Sequence, residues 1–298
     1  MKILCIGQSA YDITLPVKEF PDENRKYKIK EKYECGGGSS NNAAYLLALW
    51  GCDVYLASSI GKDVYGKKIK DELLKVGVNI TYFEELPIPT TTSYIINNLS
   101  NGSRTIITNK DPRIHFNNSG NITMPFDIIF LDGNDFEMSL KVIEDNPNAI
   151  KIIDAGSIKD GVIELCKKCD YVVCSNDFAR EYSKIDFKCN ELEKVKSVYN
   201  RLKEDFKGTL VITLEENGSI TKIDNEFVIV PSIKVDAIDS TGAGDIYHGA
   251  FTYFITHNYS LLDTLKYSNI AGALSVTKIG SKNSMPNKDE VINYHGLY

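Results

Sequence analysis

Arginine is scarce in this sequence. Five arginines (Arg25, Arg104, Arg113, Arg180 and Arg201) leave 29 of the 34 basic residues as lysine. Arginine is the preferred bidentate clamp for phosphate and carboxylate, so a substrate bearing several anionic groups would meet few such clamps. Positive charge is also short overall. The 34 Lys and Arg face 40 Asp and Glu, a net charge of −6, which argues against general nucleic-acid or membrane-surface binding. No apolar run approaches the roughly 20 residues a membrane span needs. The opening MKILCIG is too short for a secretory core and lacks a small-residue cleavage site, so a cytoplasmic location is expected. The seven cysteines are an odd number at scattered spacings, which fits reduced thiols. Cys166, Cys169 and Cys174 lack the matched second pair of a zinc site and fall among apolar residues, so they read as small buried hydrophobes. The strings Gly-x4-Gly-Lys-Ser/Thr, His-Glu-x-x-His and Gly-x-Ser-x-Gly are all missing.

What remains is an ordinary globular composition, 298 residues with 43% hydrophobic and 25% charged. Short apolar runs at 3–6, 54–57, 128–131, 150–153, 171–174 and 210–213 alternate with helix-like stretches. Such alternation predicts an α/β fold with a mainly parallel sheet between helices. Asp63 is placed to cap a helix running to Lys75 and stopped at Gly77. Two stretches break the pattern. Lys26 to Lys30 alternates charged and apolar residues, and 92–98 and 104–108 flank Asn101-Gly102, a strong hairpin signal. Together they predict a small, mostly antiparallel lid formed by insertions at about 11–35 and 90–110 of one domain spanning 1–298.

The segment with most chemistry is Asp239-Ser-Thr-Gly-Ala-Gly-Asp245, followed by helical residues. A glycine turn entering a helix aims unpaired backbone N–H groups at one point and adds the positive end of the helix dipole. The result is an anion hole suited to a transferring phosphoryl group. Asp245 in the first helical turn would be a weak base, which suffices where the attacking hydroxyl loses its proton late. A dinucleotide fingerprint would need glycine where Tyr247 stands.

This string resembles the C-terminal signature of the ribokinase (PfkB-type) carbohydrate kinase family. Gly36-Gly-Gly-Ser-Ser-Asn-Asn-Ala-Ala44 resembles its second signature, two glycines with an asparagine four residues after the second. The likeness runs in order from Ile3 to about Pro286, and residues 92–106 are similar to the ketohexokinase branch in particular. The resemblance implies a ribokinase-like three-layer fold with a small β-sheet lid, ATP and Mg2+ as cofactors, and a sugar held between lid and sheet. It implies Asp245 as the base for the sugar hydroxyl, with Gly242, Ala243 and Gly244 holding the γ-phosphate. Asp12 and Asn41 would bind sugar hydroxyls while Gly37 and Gly38 let backbone come close. Short polar side chains at a strand end and a helix start suit a neutral polyol, although a turn residue also explains Asp12. Asp132 is either a substrate contact or a strand-ending turn, and Arg104 either a substrate contact or a solvated charge.

For the nucleotide, Thr213 to Gly218 resembles the family segment beneath the ATP sugar and phosphates, with Glu215 in place of a glycine. Asn269 falls where the family contacts adenosine, or on a helix's polar face. A monovalent cation such as K+ would sit among Asp239, Thr241, Ser275, Gly280 and Ser284. Asn176 stands where the family often has Asn-x-x-Glu, yet Ala179 holds the acid's position; Asp177 and Glu181 are the nearby substitutes for organising magnesium. His248 reads as pocket lining or packing. The expectation is an ATP-dependent kinase for a primary hydroxyl of a neutral sugar, a ketose such as fructose, with no nucleic-acid or membrane partner and a homodimer formed through the lid. A nucleoside kinase, with Tyr11, Tyr33 or Phe116 walling a base slot, and a catalytically silent ligand-binding relative are the alternatives.

Overall fold

Strand β1 (Lys2–Ile6) sends Ile3 and Cys5 into one apolar core and Leu4 and Ile6 into another. A strand buried on both faces belongs in the middle of a parallel sheet covered by helices. The computed structural model, which describes residues 1–116 and 122–295, has that arrangement. Next along the chain come β2 (Ala10–Val17), β3 (Tyr33–Gly37), α1 (Ser39–Leu49), β4 (Asp53–Gly61), α2 (Val64–Lys75), β5 (Phe83–Leu86), β6 (Thr92–Asn98) and β7 (Ser103–Asn109). The middle holds β8 (Ile128–Leu131), α3 (Phe136–Asp145), β9 (Ile150–Ala155), α4 (Val162–Lys168), β10 (Tyr171–Cys174), α5 (Asn176–Ser183) and α6 (Leu192–Asp205). The last part is β11 (Thr209–Thr213), β12 (Ser219–Ile223), β13 (Glu226–Val230), α7 (Ala243–Thr256), α8 (Leu261–Ser275) and α9 (Lys288–Ile292).

The large sheet runs β13-β12-β11-β10-β9-β8-β1-β4-β5, parallel except where β12 and β13 join antiparallel at one edge. Residues of α1, α2, α7, α8 and α9 fill the core on one face, and those of α3 to α6 the core on the other. Cys166, Cys169 and Cys174 are buried in the second. Strand order reverses at β1, which lies between β8 and β4. Ligands of open α/β sheets bind at such a switch point, outside the carboxyl ends of the strands. Asp63 caps α2 by accepting from the amides of Tyr65 and Gly66. Among the described residues no helix is long and apolar enough to cross a membrane.

The small sheet is β3-β2-β6-β7. Two of its pairings are antiparallel, and β2–β6 is parallel. The β6–β7 hairpin turns at Asn101-Gly102 as expected, with Gly102 at φ 68°. The alternating segment Lys26–Lys30, expected as a strand, is exposed and irregular instead. Period-two patterning needs a neighbouring edge to become a strand, and the edge of β2 is taken by Tyr33–Gly37. The β12–β13 hairpin turns on Asp224 and Asn225, both left-handed at φ 50° and 66°, the residue types that a two-residue type I′ turn favours.

Candidate active site

Helix α7 begins at Gly242, whose φ of 78° is left-handed. A Cβ there would lie 2.7 Å from the Ser281 Cβ, so glycine is required on both counts. Among the described residues the amides of Gly242, Gly244 and Asp245 have no protein acceptor. Ala243 differs from expectation: its amide reaches the Ser240 carbonyl at 3.4 Å, a long bond that turns it partly inward. Asp245 sits half-buried beside these amides, and Asn42 Nδ2 donates to its Oδ2 at 2.7 Å. A carboxylate and three open amides thus share the helix mouth.

Sequence reasoning named Asn41 as a sugar ligand and passed over Asn42, the neighbour that touches Asp245. The glycine–asparagine spacing can be read from Gly36-Gly37 to Asn41 or from Gly37-Gly38 to Asn42, and the chain has asparagine at both. Asn42 orients Asp245, whereas Asn41 donates to Ser9 Oγ at 3.2 Å and accepts from Lys282 Nζ at 2.6 Å. Asp12, on β2, lies across Gly37, where a Cβ would come within 2.0 Å of Asp12 Oδ2. Burial pushes the Asp12 carboxyl up to about 7; a Ser93 hydrogen bond and Lys282 oppose the rise, while Asp245 adds to it. Lys282, also unread in the sequence, stacks its ammonium 4.3 Å from the Tyr45 ring centre, and burial lowers it to about 8. Nothing in the loop 280–284 marks that lysine as other than a solvated charge.

At the switch point a shallow cleft opens between Gln8 and Ser9 after β1, Ser58 and Ser59 on β4, and Asn134 and Asp135 after β8. Ile114 and Phe116 form an apolar wall, and among the described residues Lys110 is the one cationic lining residue. Burial, with Asp132 adding, pushes the Asp135 carboxyl up to about 6. Asp132 itself is buried and accepts from the amides of Gln8, Ser40 and Asn134 at 2.8, 3.2 and 3.0 Å. That arrangement ties β1, α1 and its own turn together. Removing it would strand three backbone donors. Asp132→Ala is expected to lower stability by about 3 kcal/mol or more in chemical denaturation, a loss that a solvent-facing turn acid would not produce. Arg104 is neither free nor aimed at the cleft: its Nη1 donates to Ser240 Oγ at 2.6 Å. Together with Asn97 Nδ2, 3.2 Å from the Ile238 carbonyl, it fastens the lid hairpin to the phosphate motif.

On the nucleotide side, Asn176 opens α5 and donates to Glu215 Oε1 at 3.2 Å. Glu215 has a left-handed φ of 55°, uncommon for a residue with a side chain. The acid beside Asn176 therefore comes from the loop after β11. Asp177 is exposed and ion-paired to Arg180, and Glu181 faces solvent, so neither fills the expected place. Thr213 Oγ1 donates weakly to the Cys174 carbonyl at 3.4 Å, and Gly218 closes the loop by accepting from Leu214 at 2.7 Å. Asn269 departs from both readings. It is buried, and its amide donates to Ser219 Oγ and the Val230 carbonyl, pinning α8 to the edge hairpin. Buried Asp239 accepts from the amides of Thr241 and Gly280, both at 2.9 Å. Thr241 Oγ1 is buried without a partner among the described residues, while Ser275 and Ser284 donate to the Gly272 and Ser281 carbonyls.

A family model described as pfkB family carbohydrate kinase matches residues 1–288. The ribokinase of Lactococcus lactis subsp. lactis (strain IL1403) is 25% identical over 97% of this chain and 95% of that protein. The nucleoside kinase of Methanocaldococcus jannaschii is 23% identical over 98% of this chain and 95% of that protein. The structure of Arabidopsis thaliana ribokinase complexed with ribose and ATP superposes with a TM-score of 0.79 at 20% identity, covering 98% of this chain and 97% of that one. The relatives named here are ribokinases and a nucleoside kinase, so a place in the ketohexokinase branch rests on residues 92–106 alone.

Proposed function

Since the chain belongs to the pfkB family of carbohydrate kinases, we propose that it transfers the γ-phosphate of ATP to a primary hydroxyl of a neutral sugar. Asp245 serves as base and the open amides of Gly242, Gly244 and Asp245 as anion hole, with Ala243 a lesser donor. One observation carries this reading: a carboxylate oriented by Asn42 lies beside amides that no group among the described residues satisfies. In a loose phosphoryl-transfer transition state, charge gathers on the equatorial oxygens, where preorganised amides hold it. Asp245 orients the hydroxyl and takes its proton late. Arg104, fixed to Ser240, brings a guanidinium to the same motif.

Thr213, Glu215 and Gly218 line the nucleotide's approach, and Asn269 supports that wall from behind. Among the described residues no cluster of three acidic, His or Cys side chains forms a metal cage. Magnesium, however, is commonly held by one or two carboxylates, waters and substrate phosphates, and the Asn176–Glu215 pair suits that. When bound, it neutralises phosphate oxygens. Asp239 with the orphaned Thr241 hydroxyl suits a monovalent cation such as K+, for which Gly280, Ser275 and Ser284 lie on the adjoining segment.

The polar cleft, whose described lining carries one lysine, favours an uncharged polyol over a sugar phosphate, and a fructose-type ketose is the finer proposal. Phe116 and Ile114 at the cleft favour a nucleoside as the second reading. Tyr11 is not such a wall, since it stacks on Tyr65 at 4.7 Å. A coupled ADP-release assay across ketoses, pentoses, sugar phosphates and nucleosides decides: turnover with neutral sugars is expected. Measurable ATP binding with no turnover on any acceptor would favour the silent relative. Tyr94 and Ile107, opposite one another on the lid, are exposed, which supports a homodimer through that face; a monomer by analytical ultracentrifugation would reject it.

The raised Asp12 carboxyl gives a pH prediction. A group pushed up to about 7 is largely neutral below that pH and holds sugar hydroxyls less strongly than the carboxylate does. The kcat/KM for the sugar should fall about tenfold per unit below pH 7, and Asp12→Asn should abolish that limb.

A further inference from the structure

One buried ionisable pair takes no part in the chemistry above. His248, on α7 three residues beyond Asp245, is 3% exposed, and Asp154, on β9, is 5% exposed. The ring Nδ1 lies 2.6 Å from the Gly244 carbonyl oxygen, and Nε2 lies 3.2 Å from the Val173 carbonyl oxygen and 3.5 Å from Asp154 Oδ1. Each of these oxygens accepts hydrogen bonds. A neutral imidazole has a single N–H and would turn a lone pair on a carbonyl, whereas an imidazolium donates from both nitrogens. Asp154 supplies the countercharge that a buried cation needs. Burial pushes the Asp154 carboxyl up to about 6, and His248 opposes the rise.

The Gly244 carbonyl belongs to the same peptide group as the Asp245 amide. A charged donor on its oxygen fixes that peptide plane and polarises the N–H at the other end. On the kinase reading above, that N–H belongs to the anion hole. We propose that His248 is a positioning residue for phosphoryl transfer: its imidazolium locks the Gly244–Asp245 peptide, and its pairing with Asp154 keeps the floor of the phosphate site neutral. The other ionisable groups facing the pair are Asp245 and Tyr247 on α7, Asp132 after β8, Lys159 before α4 and Cys174 on β10.

His248→Asn would leave Asp154 as an unpaired carboxylate beneath the phosphate. At saturating sugar and Mg·ATP near pH 8, kcat should drop about tenfold with the sugar KM nearly unchanged. The ratio of variant to wild-type kcat should climb as pH falls and Asp154 takes up a proton. The double variant Asp154→Asn/His248→Asn carries no charge at either position but still lacks the imidazolium donor to the Gly244 carbonyl, so its ratio should be independent of pH and its kcat should stay below that of the wild type. A pH-independent ratio in the single variant, or a double variant as active as the wild type, would overturn the proposal in favour of simple packing. Ring 15N chemical shifts of the wild type need no turnover and separate this claim from the kinase reading. Two protonated nitrogens on His248 at pH 7.5 are expected, and a neutral tautomer would overturn the proposal even if every variant misfolded.

Discussion

Asp245→Asn is expected to lower kcat by about a thousandfold while the Kd for ATP, measured calorimetrically, changes less than about threefold. The asparagine keeps the size and the helical turn of the residue it replaces, so the anion-hole amides stay where they are. What it loses is the negative charge and the acceptor for the hydroxyl proton, while its carbonyl oxygen can still accept from the Asn42 amide, 2.7 Å away in the native chain. An effect on kcat without an effect on nucleotide binding marks an interaction made in the transition state alone. Equal losses in both would mean that the carboxylate merely holds the helix mouth together.

Gly242→Ala should have the second largest effect, through geometry rather than charge. The new methyl would meet the Ser281 Cβ at 2.7 Å, and a left-handed alanine costs about 1 kcal/mol or more. The turn must shift, and the Gly242 amide moves with it. Loss of one preorganised donor typically lowers kcat about a hundredfold, here with a lower melting temperature. Gly244→Ala provides the contrast, because nothing lies within 4 Å of its added Cβ. That variant should melt no lower than the wild type, since alanine is the better helix former. Any rate it loses reports a methyl group intruding where phosphate oxygens sit.

The layered fold was legible because each buried strand is apolar on both faces and bounded by turn residues, as 128–131 and 171–174 illustrate. The hairpin at Asn101-Gly102 was legible for a local reason, its turn chemistry. Lys26–Lys30 misled because alternation describes a half-wet surface without naming the strand that would pair with it. The Asp224-Asn225 turn carried its own signal and went unread. Within the site, the phosphate motif announced itself because its chemistry is contiguous in sequence. Residues whose meaning depends on distant partners did not. Asn41 and Asn42 are adjacent and identical, and α1 packing against α7 alone decides which one faces Asp245. Asp132, Asn269 and Arg104 each kept two readings in the sequence, because their hydrogen bonds run to backbone amides, the edge hairpin and Ser240, partners that lie far along the chain. The acid near Asn176 was sought at helical spacing on α5, whereas Glu215 reaches it from another strand's loop.

The most direct test follows backbone amide resonances while Mg·ADP, fluoroaluminate and a primary-alcohol sugar are added together to form a mimic of the transferring phosphoryl group. If the helix mouth receives that group, the Gly242, Gly244 and Asp245 amides shift most, and they shift little when Mg·ADP is added alone. Were the largest changes to fall elsewhere, with these three amides unmoved by the full mixture, phosphoryl transfer at Asp245 would be contradicted.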